Sequence, residues 1–143
     1  MSVKTRRGLV AIMRLAPDEG AAVEARRFAR EWSTQRGLPD PLVADLELVV
    51  TELVSNAVRH GEAPITLDLD LTDSVVRGEV RDGSHDVPAP NPNPDHHGGF
   101  GLNIVSHCTS RWGSELLSAG DQRKQVWFEI DTRNCADPPF PSP

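Results

Sequence analysis

The sequence predicts an α+β fold, a two-layer α/β sandwich in which helices cover one face of a mixed, mostly antiparallel sheet. Three observations predict it. Helical apolar periodicity comes as a front pair of segments plus one later insert. Strand-type alternation comes in neighbouring pairs joined by short turns, the order of antiparallel hairpins. A chain of 143 residues with 38% hydrophobic side chains suffices for one core but not for two.

Residues 9–15 read as the first strand. Pro17-Asp18 then opens a helix whose Ala22, Ala25, Phe28, Ala29 and Trp32 recur at helical spacing, and which ends near Gly37. Asp40-Pro41 signals a second start, with Asp40 as N-cap acceptor and proline at the first helical position. Leu42, Leu46, Val49, Leu53 and Ala57 give this helix one apolar face, and Gly61 supplies its stop. Residues 65–71 and 75–80 are a strand pair across Thr72-Asp73-Ser74. A short helix follows from about Phe100 to His107, and strands 110–118 and 122–130 close the chain across Ala119-Gly120-Asp121.

Eight of the twelve prolines fall in two places, which marks them as loop and tail rather than core. Pro88, Pro90, Pro92 and Pro94 lie in a loop over 83–97, long enough to read as a lid. Pro138, Pro139, Pro141 and Pro143 lie in 132–143, which lacks apolar periodicity and reads as a disordered tail, leaving 1–131 as the domain.

Charge and hydropathy exclude several function classes. The net charge of −6 repels a polyphosphate backbone, and the basic runs at Lys4, Arg6 and Arg7 and at Arg26-Arg27 are too short to line a groove. Direct nucleic-acid binding is therefore not expected. No run approaches 18 apolar residues, so no membrane span is expected. The basic start ahead of Leu9 to Met13 mimics a secretory signal, but Arg14 interrupts it and no small-residue cleavage site follows. Cys108 and Cys135 have neither metal nor redox spacing, which favours a reduced cytoplasmic setting.

Three stretches are candidates for chemistry. On the second helix Asn56 lies roughly 40° and Arg59 roughly 20° around the axis from Glu52, with Asp45 on the same stripe. This stripe borders the apolar arc, so it lines a cleft if another segment roofs it; alone, it also fits a solvated face with a Glu–Arg pairing. Gly98-Gly99-Phe100-Gly101-Leu102 leads into a helix, where free N–H groups attract phosphate, although a simple hinge has the same composition. Asp82-Gly83 ends a strand, as a ligand-binding carboxylate or as an ordinary turn.

The remaining candidates take plainer readings. His85, Asp86, Asp95, His96 and His97 share one polar loop without zinc-type spacing. Trp32, Trp112 and Trp127 read as core aromatics, and Cys108 as an inert buried thiol. Ser55 and Ser106 lack the context of a hydrolase triad.

Taken in order, Glu-x-x-x-Asn on a helix, Asp-Gly after two strands, a proline-rich loop and a glycine turn into a helix resemble the Bergerat ATP-binding fold. The wording ELVSNAVRHG, GGFGLNIV, RWG and VWFEI, over about residues 9–131, is similar to the anti-sigma-factor serine kinase family. The resemblance implies Mg²⁺ and ATP as cofactors, with Asn56 as the metal ligand and Glu52 as the general base for a hydroxyl nucleophile. It implies Asp82, with Gly83, as the acceptor for the adenine amine, and Gly99, Gly101 and Leu102 around the phosphates under the lid. Lys124 stands near a position that reaches phosphate in the family, and Arg59 shares the binding face.

The chain departs from the family at two points. The fuller Asp-x-Gly-x-Gly motif is here Asp82-Gly83-Ser84-His85-Asp86, and Gly-Lys-Thr is here Arg123-Lys124-Gln125. The resemblance implies a cytoplasmic anti-sigma factor that phosphorylates an anti-anti-sigma partner on serine or threonine and sequesters a sigma factor, and it allows a homodimer. Two other readings stay open: a non-catalytic ATP-binding interaction module that regulates transcription, and a detached histidine-kinase catalytic domain. The second lacks dimerisation helices and a phospho-accepting histidine in cis.

Overall fold

The computed structural model describes residues 10–84 and 99–133. Its elements follow as β1 (Ala11–Leu15), α1 (Ala21–Gln35), α2 (Asp40–His60), β2 (Ile65–Thr72), β3 (Val75–Asp82), α3 (Gly99–Cys108), β4 (Arg111–Leu116) and β5 (Lys124–Asp131). The strands form one five-stranded sheet in the order β1-β2-β3-β5-β4. Every pairing in it is antiparallel, where the sequence suggested a partly mixed sheet. Because β5 runs against both β3 and β4, those two point the same way, and the connection between them crosses over through α3.

Alternation decides which side chains meet the helices. Ile65, Leu67 and Leu69 of β2, Val76 and Val80 of β3, and Val126, Phe128 and Ile130 of β5 are buried together with the apolar faces of α1 and α2. Each fully buried side chain of this size contributes about 1.5–3 kcal/mol. Phe128 has room because its cross-strand partner is Gly78, where a β-carbon would lie 2.2 Å from the ring.

The opposite face carries an ion-pair lattice. Arg81 bonds Asp68 at 3.2 Å and Glu79 at 2.9 Å, Arg77 bonds Glu129 at 3.1 Å, and Arg111 also donates to Glu129. Trp127, read from the sequence as core, lies on this face under the Arg77 guanidinium, 4.7 Å from the ring centre. The reason is parity: Val126 and Phe128 on either side of it already point inward. Trp32 is buried as expected, and Trp112 is partly buried against the core.

Helix starts differ from the sequence reading. The Asp18 carboxylate accepts the Gly20 N–H at 2.9 Å in a turn ahead of α1, so this helix begins at Ala21 and not at Pro17-Asp18. In α2 the capping position is Pro39, and Asp40 is already helical with no side-chain cap bond; its charge still suits the positive end of the helix. The proposed lid over 83–97 falls, from 85 onward, outside the described residues, as do Leu9 and the tail from 134.

Candidate functional site

The same alternation that buries Val80 and Val126 carries Asp82 and Lys124 inward at the ends of their strands. They are register partners across the β3–β5 ladder, and Lys124 Nζ stands 3.2 Å from Asp82 Oδ2. Asp82 is 1% and Lys124 4% exposed. The other carboxylate oxygen, Oδ1, accepts the Ser84 N–H at 2.7 Å. Thus the acid and the lysine that the sequence proposes as separate nucleotide contacts form one buried ion pair.

The end of α2 closes over this pair. Gly61 donates its N–H to the Ala57 carbonyl at 2.9 Å, the stop expected of it. Its backbone is extended rather than left-handed, so chain geometry is not what calls for glycine there. Close approach is: a β-carbon on Gly61 would lie 2.7 Å from Asp82 Cγ. One residue further on each element, Gly83 donates to the Glu62 carbonyl at 2.6 Å, and its own missing β-carbon would meet the Ala63 carbonyl at 2.6 Å. Gln122 Nε2 completes the corner by donating to the Pro64 carbonyl and to Thr66 Oγ1.

Glu52 and Asn56 lie half-buried one turn apart on α2, beside the buried Leu53 and Ala57. Arg59 Nη2 donates to Asn56 Oδ1 at 2.8 Å, so the guanidinium fixes which way the amide points. Asn56 precedes Gly61 by about 7.5 Å of helix rise, and Glu52 precedes Asn56 by about 6 Å. The stripe therefore leads along the helix toward Asp82.

At its other end the stripe meets α3. Burial pushes the Asp45 carboxyl above its ordinary range, while the charge of His107 and a hydrogen bond from the Cys108 thiol pull it partly back. Cys108, expected to be buried, is half-buried and engaged with Asp45. Gly99, Gly101 and Leu102 are helical and occupy the first turn of α3.

The donor set fits a hard cation bound together with a substrate. The Asn56 amide oxygen is a suitable magnesium ligand, but among the described residues no cluster of three His, Cys, Asp or Glu side chains forms a complete cage. Phosphate oxygens and water would have to supply the rest. A concavity of about 280 Å³ lined by Asp68, Asp70, Arg77, Glu79 and Arg81 lies on the far side of the sheet, within the ion-pair lattice, and is not part of this site.

Sequence reasoning missed the Asp82–Lys124 pairing and the role of Gly61 as a wall. The signal was present. Asp82 continues the inward series Val76, Gly78 and Val80, and Lys124 begins the inward series Val126, Phe128 and Ile130.

A family model described as the histidine kinase-like ATPase domain matches residues 15–130. No curated protein matches the chain at a significant level. Among solved structures, the chain is similar to the RsbU and RsbW domains of Rv1364c from Mycobacterium tuberculosis, with a TM-score of 0.64, 22% identity, 85% of this chain and 31% of that one. It is also similar to the histidine kinase domain of the Erythrobacter litoralis EL346 blue-light activated histidine kinase, with a TM-score of 0.50, 15% identity, 80% of this chain and 62% of that one. The chain thus spans less than a third of the first and less than two thirds of the second, and at these identities the likeness is one of fold.

Proposed function

The chain belongs to the histidine kinase-like ATPase domain family, and from that premise we propose that it is an ATP-binding anti-sigma factor with protein serine/threonine kinase activity. Its partners would be a sigma factor, which it sequesters, and an anti-anti-sigma protein, which it phosphorylates; the setting would be cytoplasmic. No helix among the described residues is long and apolar enough to cross a membrane. The observation that carries the reading is the half-buried Glu52/Asn56 stripe on α2 in a chain matched by this family over 15–130.

In this reading each residue has a limited task. Phosphoryl transfer needs positioning and charge neutralisation more than covalent help. Asn56, oriented by Arg59, would hold Mg²⁺, which when bound offsets the charge of the triphosphate. Glu52 takes the proton of the attacking hydroxyl as its oxygen bonds to phosphorus and the bond to the leaving diphosphate breaks. The N–H groups of Gly99, Gly101 and Leu102 in the first turn of α3 offer donors to phosphate oxygens. Asp82, with Gly83 beside it, is the acceptor that the resemblance implies for the purine amine, and in this structure a protein donor engages it. Lys124, expected near phosphate, is the residue that holds Asp82.

Two measurements test the proposal. Calorimetry with Mg·ATP is expected to show saturable binding; none would end it. Labelled ATP, incubated with the chain and a candidate anti-anti-sigma protein, is expected to give acid-stable label on the partner. Binding without transfer supports the interaction module instead, and acid-labile label supports a histidine kinase.

A further inference from the structure

We infer that Lys124 is an internal competitor for the purine amine, so that this site binds nucleotide without reading the 6-amino group until Lys124 is displaced. The inference rests on the nucleotide-binding reading above. It stands on three observations: the 3.2 Å contact between Lys124 Nζ and Asp82 Oδ2, the 1% and 4% exposure of the two residues, and the Ser84 N–H on the remaining oxygen at 2.7 Å.

An ammonium and a purine amine are both donors and want the same acceptor. The ammonium is charged, so its bond to the carboxylate is an ion pair as well as a hydrogen bond, and a neutral amine offers only the hydrogen bond. The carboxylate has lone pairs to spare, but at 1% exposure it has no open face, so the amine reaches Asp82 only if Lys124 withdraws and leaves its charge unpaired in a buried position, which is the costly way to break such a pair. Nor can the carboxylate swing away to meet a ligand. Gly61 lies close on one side, with Oδ2 only 2.8 Å from where a β-carbon would stand, and the Ser84 N–H holds Oδ1 at 2.7 Å. Nucleotide affinity in the native chain then comes from the phosphates and the purine faces, and the base edge contributes little. Lys124 becomes a specificity-determining residue: its loss exchanges a promiscuous purine site for one that recognises adenine.

The test compares ATP with inosine triphosphate, which carries a carbonyl where adenine carries the amine. Dissociation constants are measured by calorimetry for the native chain and for Lys124→Met, which keeps the apolar stem and removes the donor. The expected result is native affinities for the two nucleotides within about threefold, and an ATP preference of at least about tenfold in the variant, the worth of one hydrogen bond to a charged group. A native chain that prefers ATP by more than about threefold overturns the inference and leaves the nucleotide site standing. A folded variant with an unchanged ratio does the same. If neither protein binds either nucleotide, the inference and the functional reading fall together. Should Lys124→Met not fold, the native ratio alone decides by the same thresholds.

Discussion

Gly61 and Asp82 approach so closely that a β-carbon at 61 would lie 2.7 Å from the carboxylate carbon and 2.8 Å from Oδ2. The end of the helix that carries Glu52 and Asn56 is thereby fixed against the strand end that carries Asp82. Helix and sheet meet at this corner across the Asp82 carboxylate, with no side chain on the helix residue that faces it.

Gly61→Ala tests that relationship. Its φ of −97° suits alanine, so any loss comes from crowding and not from backbone strain. The methyl would meet the Ala57 carbonyl at 2.5 Å as well as Asp82, and a helix carbonyl has little room to yield. Overpacking of this kind costs about 1–3 kcal/mol. A melting temperature lowered by about 3 °C or more is expected, together with weaker nucleotide binding. An unchanged melting curve would show that the two elements are not held in contact.

Glu52 and Asn56 are predicted to separate into a chemical and a binding role. Glu52→Gln should lower phosphoryl transfer by about 100-fold or more, the scale of a lost general base. ATP affinity should hold within about threefold, because the amide keeps shape and polarity. Asn56→Ala should weaken ATP binding in magnesium by about tenfold while leaving binding in chelator unchanged. Equal losses with and without the metal would remove Asn56 from the metal's coordination.

Periodicity made most of the fold legible. Leu46, Val49, Leu53 and Ala57 define the buried face of α2, and the inward residues of β2, β3 and β5 follow strict alternation. What failed was local competition. Asp40 looked like a cap, yet Pro39 takes that position and Asp40 makes no cap bond. Trp127 looked like core because its strand is apolar, yet its parity places it under Arg77. At the site, the Glu52–Asn56 stripe could be read because it lies within one helix. The Asp82–Lys124 pair could not be read from either strand alone, since it depends on a register across 42 positions, 124 minus 82.

Gly78→Ala should be strongly destabilising. The methyl would lie 2.2 Å from Phe128 Cζ, and the ring is fully buried and has nowhere to turn. A loss of about 1–3 kcal/mol is expected in urea unfolding. Combining it with Phe128→Leu should cost less than the sum of the two single changes, because the smaller side chain makes room for the methyl. Strict additivity would mean that the two residues are not in contact.

The ion-pair lattice should give the fold a pH dependence that Glu129 sets. Burial pushes this carboxyl upward, but hydrogen bonds from Arg111 and Arg77, with their charges, outweigh it and hold the group below its ordinary value of 4.5. In the unfolded chain those partners are gone, so over this range the unfolded state binds more protons and stability rises with pH. The contribution is complete above the unfolded value and is lost as pH falls through the lower folded one. Glu129→Gln keeps the shape and removes the titration. The gap in urea midpoint between native chain and variant should therefore be widest near neutrality and narrow toward about pH 3. Asp131, held at about 2 by the hydrogen bonds of Arg133, is common to both proteins and cancels from that difference. A gap that stays constant with pH would show that the arginines do not grip Glu129 in solution.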